Sequence, residues 1–215
     1  MKHLSWSNVL MILLFTACTS VTPRHLAPWV PPQGTCCSHP PLFSDTAFHK
    51  ALFRASLDIR DHHLTGLLFL KKIPDSGYRL VFSNELGMTF FDLGITADRM
   101  DVNYCFEPLY KKPLLKILHT DLSLLLHTGD HPKEPEFFRL KGSGTPVSRS
   151  KQGNIRRWDV YSPGCDTLRE IRGRSNPFEQ VIISLSKYSR AIPSRIHISN
   201  PVIGMKMSLT LLNAG

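Results

Sequence analysis

Between residues 53 and 106, apolar and polar side chains alternate in short runs separated by polar breaks. Phe53, Ala55, Leu57 and Ile59 take turns with Arg54, Ser56, Asp58 and Arg60. A period of two sends successive side chains to opposite faces, so this run predicts a strand with one dry and one wet face. Asp61, His62 and His63 break it, and residues 64–73 follow, apolar on both faces near their middle. Pro74, Asp75, Ser76 and Gly77 predict a turn, because proline presets φ and glycine accepts a positive φ. Tyr78, Leu80 and Phe82 then alternate with Arg79, Val81 and Ser83. Residues 84–87 turn the chain, residues 88–95 return it, and residues 96–98 turn it again. Met100, Val102, Tyr104 and Phe106 alternate with Arg99, Asp101, Asn103 and Cys105. Five tightly joined strands predict an antiparallel meander.

A helix comes next. Pro113 suits a first helical turn. Leu114, Leu115, Ile117, Leu118, Leu122, Leu125 and Leu126 recur at helical spacing, with Lys116, His119, Asp121 and Ser123 off the stripe. Gly129 predicts the stop. So apolar a helix must pack on something, and the concave face of the meander is the expected partner. Residues 129–153 are rich in Gly, Pro, Ser and charge and read as a long surface loop, with only residues 137–140 hinting at a strand. Strands resume over residues 155–161, 167–172, 181–185, 193–198 and 205–211. The expected fold is mainly β, about ten to eleven antiparallel strands in two sets with a helix between them.

The chain carries more large apolar side chains than one half-wet sheet needs. Leu67, Phe69, Val81 and Phe90 fall on the parity that alternation makes wet. A sheet apolar on both faces covers a second layer or surrounds a cavity. Parity nominates Leu68, Leu70, Leu80, Phe82, Phe91, Leu93, Val102 and Tyr104 as the concave lining and as candidate lipid contacts. Apolar ligands need area rather than catalytic groups, and catalytic groups are scarce here. The sequence has no G-x-S-x-G, H-E-x-x-H or C-x-x-C motif and no phosphate loop. His62 and His63 are adjacent and point to opposite sides, while His119 and His127 lie too far apart for one metal. No enzyme activity, cofactor or metal is expected.

The N-terminal segment predicts a place outside the cytoplasm, and the charge bears on partners. Residues 1–17 read as an export signal, with Lys2 ahead of the apolar run VLMILLF at residues 9–15. Thr16 and Ala17 precede Cys18, which resembles a bacterial lipobox with Phe15 where leucine is usual, and Cys18 is the expected lipidation site. Residues 18–41 then form a tether, with Pro23, Pro28, Pro31, Pro32, Pro40 and Pro41. Four further cysteines, Cys36, Cys37, Cys105 and Cys165, leave the disulfide pairing open. Cys105, opposite in parity to Val102 and Tyr104, is expected near the surface. The formal charge is +9, concentrated between residues 139 and 174, where nine Lys/Arg face three acids. Such a stripe suits anionic lipid or acidic protein, or is a solvated sheet face. The export signal argues against nucleic acid.

Three segments carry a family resemblance: LTGLLF at residues 64–69, YRLVFS at residues 78–83, and Glu85-Leu86-Gly87. With the order lipidated N-terminus, meander, helix and further strands, residues 42–213 resemble the LolA/LolB-like superfamily of periplasmic lipoprotein carriers and receptors. The resemblance implies that the ten to eleven strands form an incomplete antiparallel barrel, with one or more helices closing an apolar cavity. It implies a LolB-type outer-membrane lipoprotein, facing the periplasm, that binds acyl chains of lipoproteins or lipids and helps insert them into the outer membrane. A periplasmic carrier protein is the implied donor. LolB-like receptors carry an exposed apolar residue on a hairpin loop, and the resemblance gives Leu86 that role. A turn leucine that folds back onto the helix is the plainer alternative. The alternative function is a non-enzymatic assembly lipoprotein that binds a protein partner through a sheet edge or the basic stripe.

Overall fold

A computed structural model describes residues 25–31, 42–43, 48–74, 77–96, 98–128, 135–175, 180–189 and 192–215. The first meander consists of β2 (Lys50–Ile59), β3 (His62–Ile73), β4 (Gly77–Ser83), β5 (Thr89–Ile95) and β6 (Met100–Cys105). A short 3-10 turn (Glu107–Leu109) leads into helix α1 (Lys112–Leu126). A second meander follows: β7 (Glu136–Leu140), β8 (Pro146–Gln152), β9 (Ile155–Tyr161), β10 (Leu168–Arg174), β11 (Gln180–Ser189), β12 (Ile192–Asn200) and β13 (Met205–Ala214). The short strand β1 (Leu26–Pro28) pairs antiparallel with β7.

All thirteen strands belong to one sheet, in the order β1-β7-β8-β9-β10-β11-β12-β13-β2-β3-β4-β5-β6. The join between the meanders is the pairing of β13 with β2, from Met205 opposite Ile59 to Ala214 opposite Ala51. The outermost strands β1 and β6 do not pair with each other, so the sheet is open, in keeping with the incomplete antiparallel barrel that the resemblance implies. Among the described residues the strand count exceeds the expectation because residues 26–28 form β1 and residues 135–153 are not one long loop. The latter contain β7 and β8. The β8 segment, PVSRSKQ, has no apolar period, yet Pro146, Val147, Ser148 and Gln152 are all buried.

Register explains the core. Phe53, Leu68, Phe82 and Phe91 stand opposite one another across four strands, and none is more than 1% exposed. Ala51, Leu70, Leu80, Leu93 and Val102 form the next row. Two details depart from simple parity. His62 and His63 begin β3 rather than breaking the sheet, and the His63 ring pairs with the Asp58 carboxylate. In β6, Asn103 is an extra residue, since Leu93 faces Val102 while Asp92 faces Tyr104. Such a bulge reverses the alternation beyond it. Tyr104 therefore leaves the concave set and is half-exposed, and Cys105 turns inward against the core. Both corrections have this one cause.

Helix α1 ends at His127, which takes the left-handed conformation (φ 53°) two residues before Gly129. The helix packs against β5 of the first meander and β10 of the second, not against the first meander alone. Gly173 makes the second contact close: a Cβ there would run into Leu124 of α1 and Val181 of β11.

Candidate functional site

The site is the seam between α1 and the concave face, with its mouth. The C-terminal half of α1 is fastened by buried polar groups. A helix leaves its last carbonyls without intrahelical partners, and the sheet supplies donors for them. Arg157 of β9, 3% exposed, donates through a terminal guanidinium nitrogen to the Leu124 carbonyl at 2.6 Å. Its Nε donates to both oxygens of Asp159, at 2.9 and 3.0 Å. A guanidinium also complements the negative end of the helix dipole. Gln152 of β8 donates to the Ser123 carbonyl at 3.2 Å and to the Thr128 carbonyl. Asn200 of β12 donates to the Asp121 carboxylate at 3.1 and 3.3 Å, with both residues buried. Asp121 and Ser123, off the helix stripe by periodicity, are thus interior residues. Next to this cluster, burial and the Asp159 carboxylate push the Tyr161 hydroxyl up to about 12.

The N-terminal half of α1 is held differently. Its N-cap, Lys111, makes no side-chain capping bond. Beneath it the contacts are apolar: Leu114, Leu115 and Leu118 of α1 and Leu109 meet Leu57, Ile59, Phe91, Cys105 and Met205 around a void of about 10 Å³. A space that small holds no chain, so the seam is shut. Ile59, Leu109 and Leu114 also line a cavity of about 310 Å³ at the open end, bordered by Arg60, Asp61, His62, Pro108, Lys111, Pro113 and Ile203. The shared residues make this cavity the mouth of the seam. Burial pushes the Cys105 thiol up and the His119 imidazole down, each toward its neutral form.

The candidate lining divides accordingly. Leu68, Leu70, Leu80, Phe82, Phe91 and Leu93 are buried in the concave core. Val102 is half-buried and packs on that core, whereas Tyr104 lies outside it. Of the eight, only Phe91 borders the seam void. Sequence reasoning did not assemble the mouth, because Arg60, Asp61, Pro108, Leu109 and Ile203 lie in turns where no periodicity operates, and Ile59, His62, Pro113 and Leu114 sit at the ends of β2, β3 and α1.

Leu86 caps the hairpin between β4 and β5, which points toward the same end of the sheet as the mouth. It is 95% exposed and does not fold back onto α1. Asn84 fixes the tip, its side-chain oxygen accepting from the Leu86 and Met88 backbone N–H groups at 3.0 and 2.8 Å. Gly66 of β3 lets the hairpin base approach, since a Cβ there would collide with the Ser83 carbonyl oxygen. Cys18, with the signal of residues 1–17 and the expected tether of residues 18–41 as far as residue 24, lies outside the described residues, whereas Leu26–Pro28 of that tether form β1 on the sheet. Cys165 is disulfide-bonded and Cys105 is free, while Cys36 and Cys37 also lie outside the described residues.

No family model matches the sequence, and no curated protein does. Among solved structures, a LolA superfamily protein from Nitrosomonas europaea superposes with a TM-score of 0.50 at 9% identity, covering 80% of this chain and 87% of that one. A DUF1329 family protein from Desulfovibrio piger gives 0.47 at 8% identity, covering 79% and 86%. An outer membrane lipoprotein-sorting protein domain from Vibrio parahaemolyticus gives 0.43 at 9% identity, covering 80% and 86%. At such identities the likeness speaks to architecture alone, and the fold is similar to that of the LolA superfamily protein from Nitrosomonas europaea.

Proposed function

We propose that this chain is a LolB-type lipoprotein, anchored through Cys18, that takes up acyl chains and hands them to the outer membrane. The observation that carries the reading is the apolar seam under the weakly fastened half of α1, opening into the mouth cavity. Lifting that half exposes Leu114, Leu115 and Leu118 together with the sheet residues beneath them, while Arg157, Gln152 and Asn200 keep the other half in place. Burial of acyl chain is worth about 0.8 kcal/mol per CH₂, so a chain of ordinary length supplies the free energy to displace these contacts. No covalent step is needed. The chain is not proposed to be an enzyme, and its expected partners are lipid or lipoprotein acyl chains, the outer membrane and a periplasmic donor. Native mass spectrometry of the full chain, extracted from membranes and supplied with palmitate, tests both parts. Covalent acyl mass at Cys18 and non-covalent uptake of palmitate are expected. An unmodified Cys18 sinks the anchor, and a chain that takes up no lipid sinks the carrier.

Delivery is assigned to Leu86. Insertion of one leucine side chain into a bilayer is worth about 1.5–3 kcal/mol, too little to anchor and enough to bias a transfer step. Leu86→Glu is expected to change folding stability by less than about 0.5 kcal/mol, as for other exposed positions. Transfer of a bound fluorescent lipid to liposomes should slow about tenfold. Transfer at the wild-type rate would remove Leu86 from the mechanism.

A second reading, an assembly lipoprotein that binds a protein, rests on the opposite end of the sheet order. There Pro28, Trp29, Val30, Glu136, Phe137, Phe138 and Arg149 line an open groove of about 510 Å³ beside the short strand β1. The basic stripe is less available than its charge suggests. Arg157 is buried, Arg149 pairs with Glu136, and Arg172 pairs with Glu170.

A further inference from the structure

The mouth differs from the seam beneath it in chemistry. No charged residue lines the seam void, whereas Arg60, His62, Lys111 and Asp61 border the mouth. Among the described residues of the rim, Arg60 and Lys111 are the arginine and lysine side chains and Asp61 the carboxylate. None of the ion pairs among the described residues engages Arg60 or Lys111. Arg60 stands at φ 49°, in the left-handed region that favours glycine. A long cationic side chain at such a position points to a role for that side chain rather than for the turn. Lys111 is the N-cap of α1, whose first turn contains Pro113 and no acid, so the positive end of the helix dipole adds to the same rim.

We propose that the mouth holds the anionic head, phosphate or carboxylate, of an amphiphile whose acyl chain runs inward between α1 and the sheet. Arg60 and Lys111 meet the head from the two sides of the cavity. Pro108, Pro113, Leu109 and Ile203 receive the first methylenes, and the seam at Leu114 and Leu118 takes the remainder. The inference rests on the acyl-carrier reading and adds to it a ligand class. An anionic amphiphile is preferred over a neutral glyceride of the same chain, because only the anion recovers the cost of desolvating the rim.

The full chain is loaded with the neutral dye N-phenylnaphthylamine and titrated with monooleoylglycerol, oleate and lysophosphatidate of the same chain. Oleate and lysophosphatidate are expected to displace the dye about tenfold more tightly than the glyceride, the gap narrowing at high salt. The double variant Arg60→Gln, Lys111→Gln should close the gap to less than about twofold by weakening the two anions, with the cooperative thermal transition retained. Preference for lysophosphatidate alone identifies a phosphate head, and preference for oleate alone a carboxylate. Equal affinity for all three overturns the head site and leaves the carrier standing, as does a gap that survives the double substitution. Dye uptake with no displacement by any of the three overturns the carrier reading and this inference with it.

Discussion

Phe82→Asp is expected to leave no folded protein. Phe82 is 0% exposed, with the Phe90 ring 4.9 Å and the Phe91 ring 5.4 Å away. Removal of the ring alone, as in Phe82→Ala, costs about 3–5 kcal/mol through lost transfer energy and the cavity left behind. An aspartate in that cavity adds several kcal/mol of desolvation with no donor to offset it, and the total approaches the 5–15 kcal/mol that hold a domain together. Circular dichroism of the purified variant should show no cooperative thermal transition. Phe82→Leu should retain one, because it keeps most of the volume. Between these sits the informative variant. Phe82→Ala is expected to fold with a lowered Tm and to bind a fluorescent fatty acid less tightly. Unchanged binding in a folded Phe82→Ala would mark Phe82 as core alone and return it from the lining to the scaffold.

The strands from β2 to β6 were legible because each contributes one side to a common interior. Phe53, Leu68, Phe82 and Phe91 recur at period two, and the turns between their strands carry proline, glycine or asparagine. The helix was legible for the same reason at its own period. What failed did so where the interior is polar. The side chains of Asp121, Gln152, Arg157 and Asn200 are buried because they bond one another or the end of α1, and alternation counts every such residue as wet. That is why β8 read as loop. Tyr104 and Cys105 were exchanged for another reason: one extra residue, Asn103, reverses parity, and nothing in the hydrophobic pattern marks it. Leu86 was the converse case: its turn neighbours Asn84, Glu85 and Gly87 left exposure and folding back onto the helix both open, and in the structure it is exposed. The mouth could not be read at all, since it exists only once Arg60, Lys111 and Ile203, far apart in sequence, reach one end of the sheet.

Arg157→Met is expected to loosen α1 from its C-terminal end. Methionine keeps much of the length and volume of arginine, so the change removes charge and donors more than packing. Asp159, whose side chain is 13% exposed, then loses its guanidinium partner, and the Leu124 carbonyl loses its donor. Loss of one member of a buried ion pair costs about 3–5 kcal/mol. At about 2–4 °C per kcal/mol for a chain of this size, Tm should fall by about 10 °C. Local opening is the more telling measure, because the fastening acts on one half of one helix. Hydrogen exchange should accelerate over residues 119–126 with little change in the core strands β3 to β5. Function follows the same logic. In the wild-type chain the C-terminal half stays fixed while the N-terminal half lifts, so a lipid is enclosed against a firm hinge. Without Arg157 both halves move, and a fluorescent fatty acid should enter faster and leave faster still, weakening overall affinity about tenfold. Wild-type exchange in α1 together with wild-type release would show that Gln152 and Asn200 hold the helix unaided, and would remove Arg157 from the hinge.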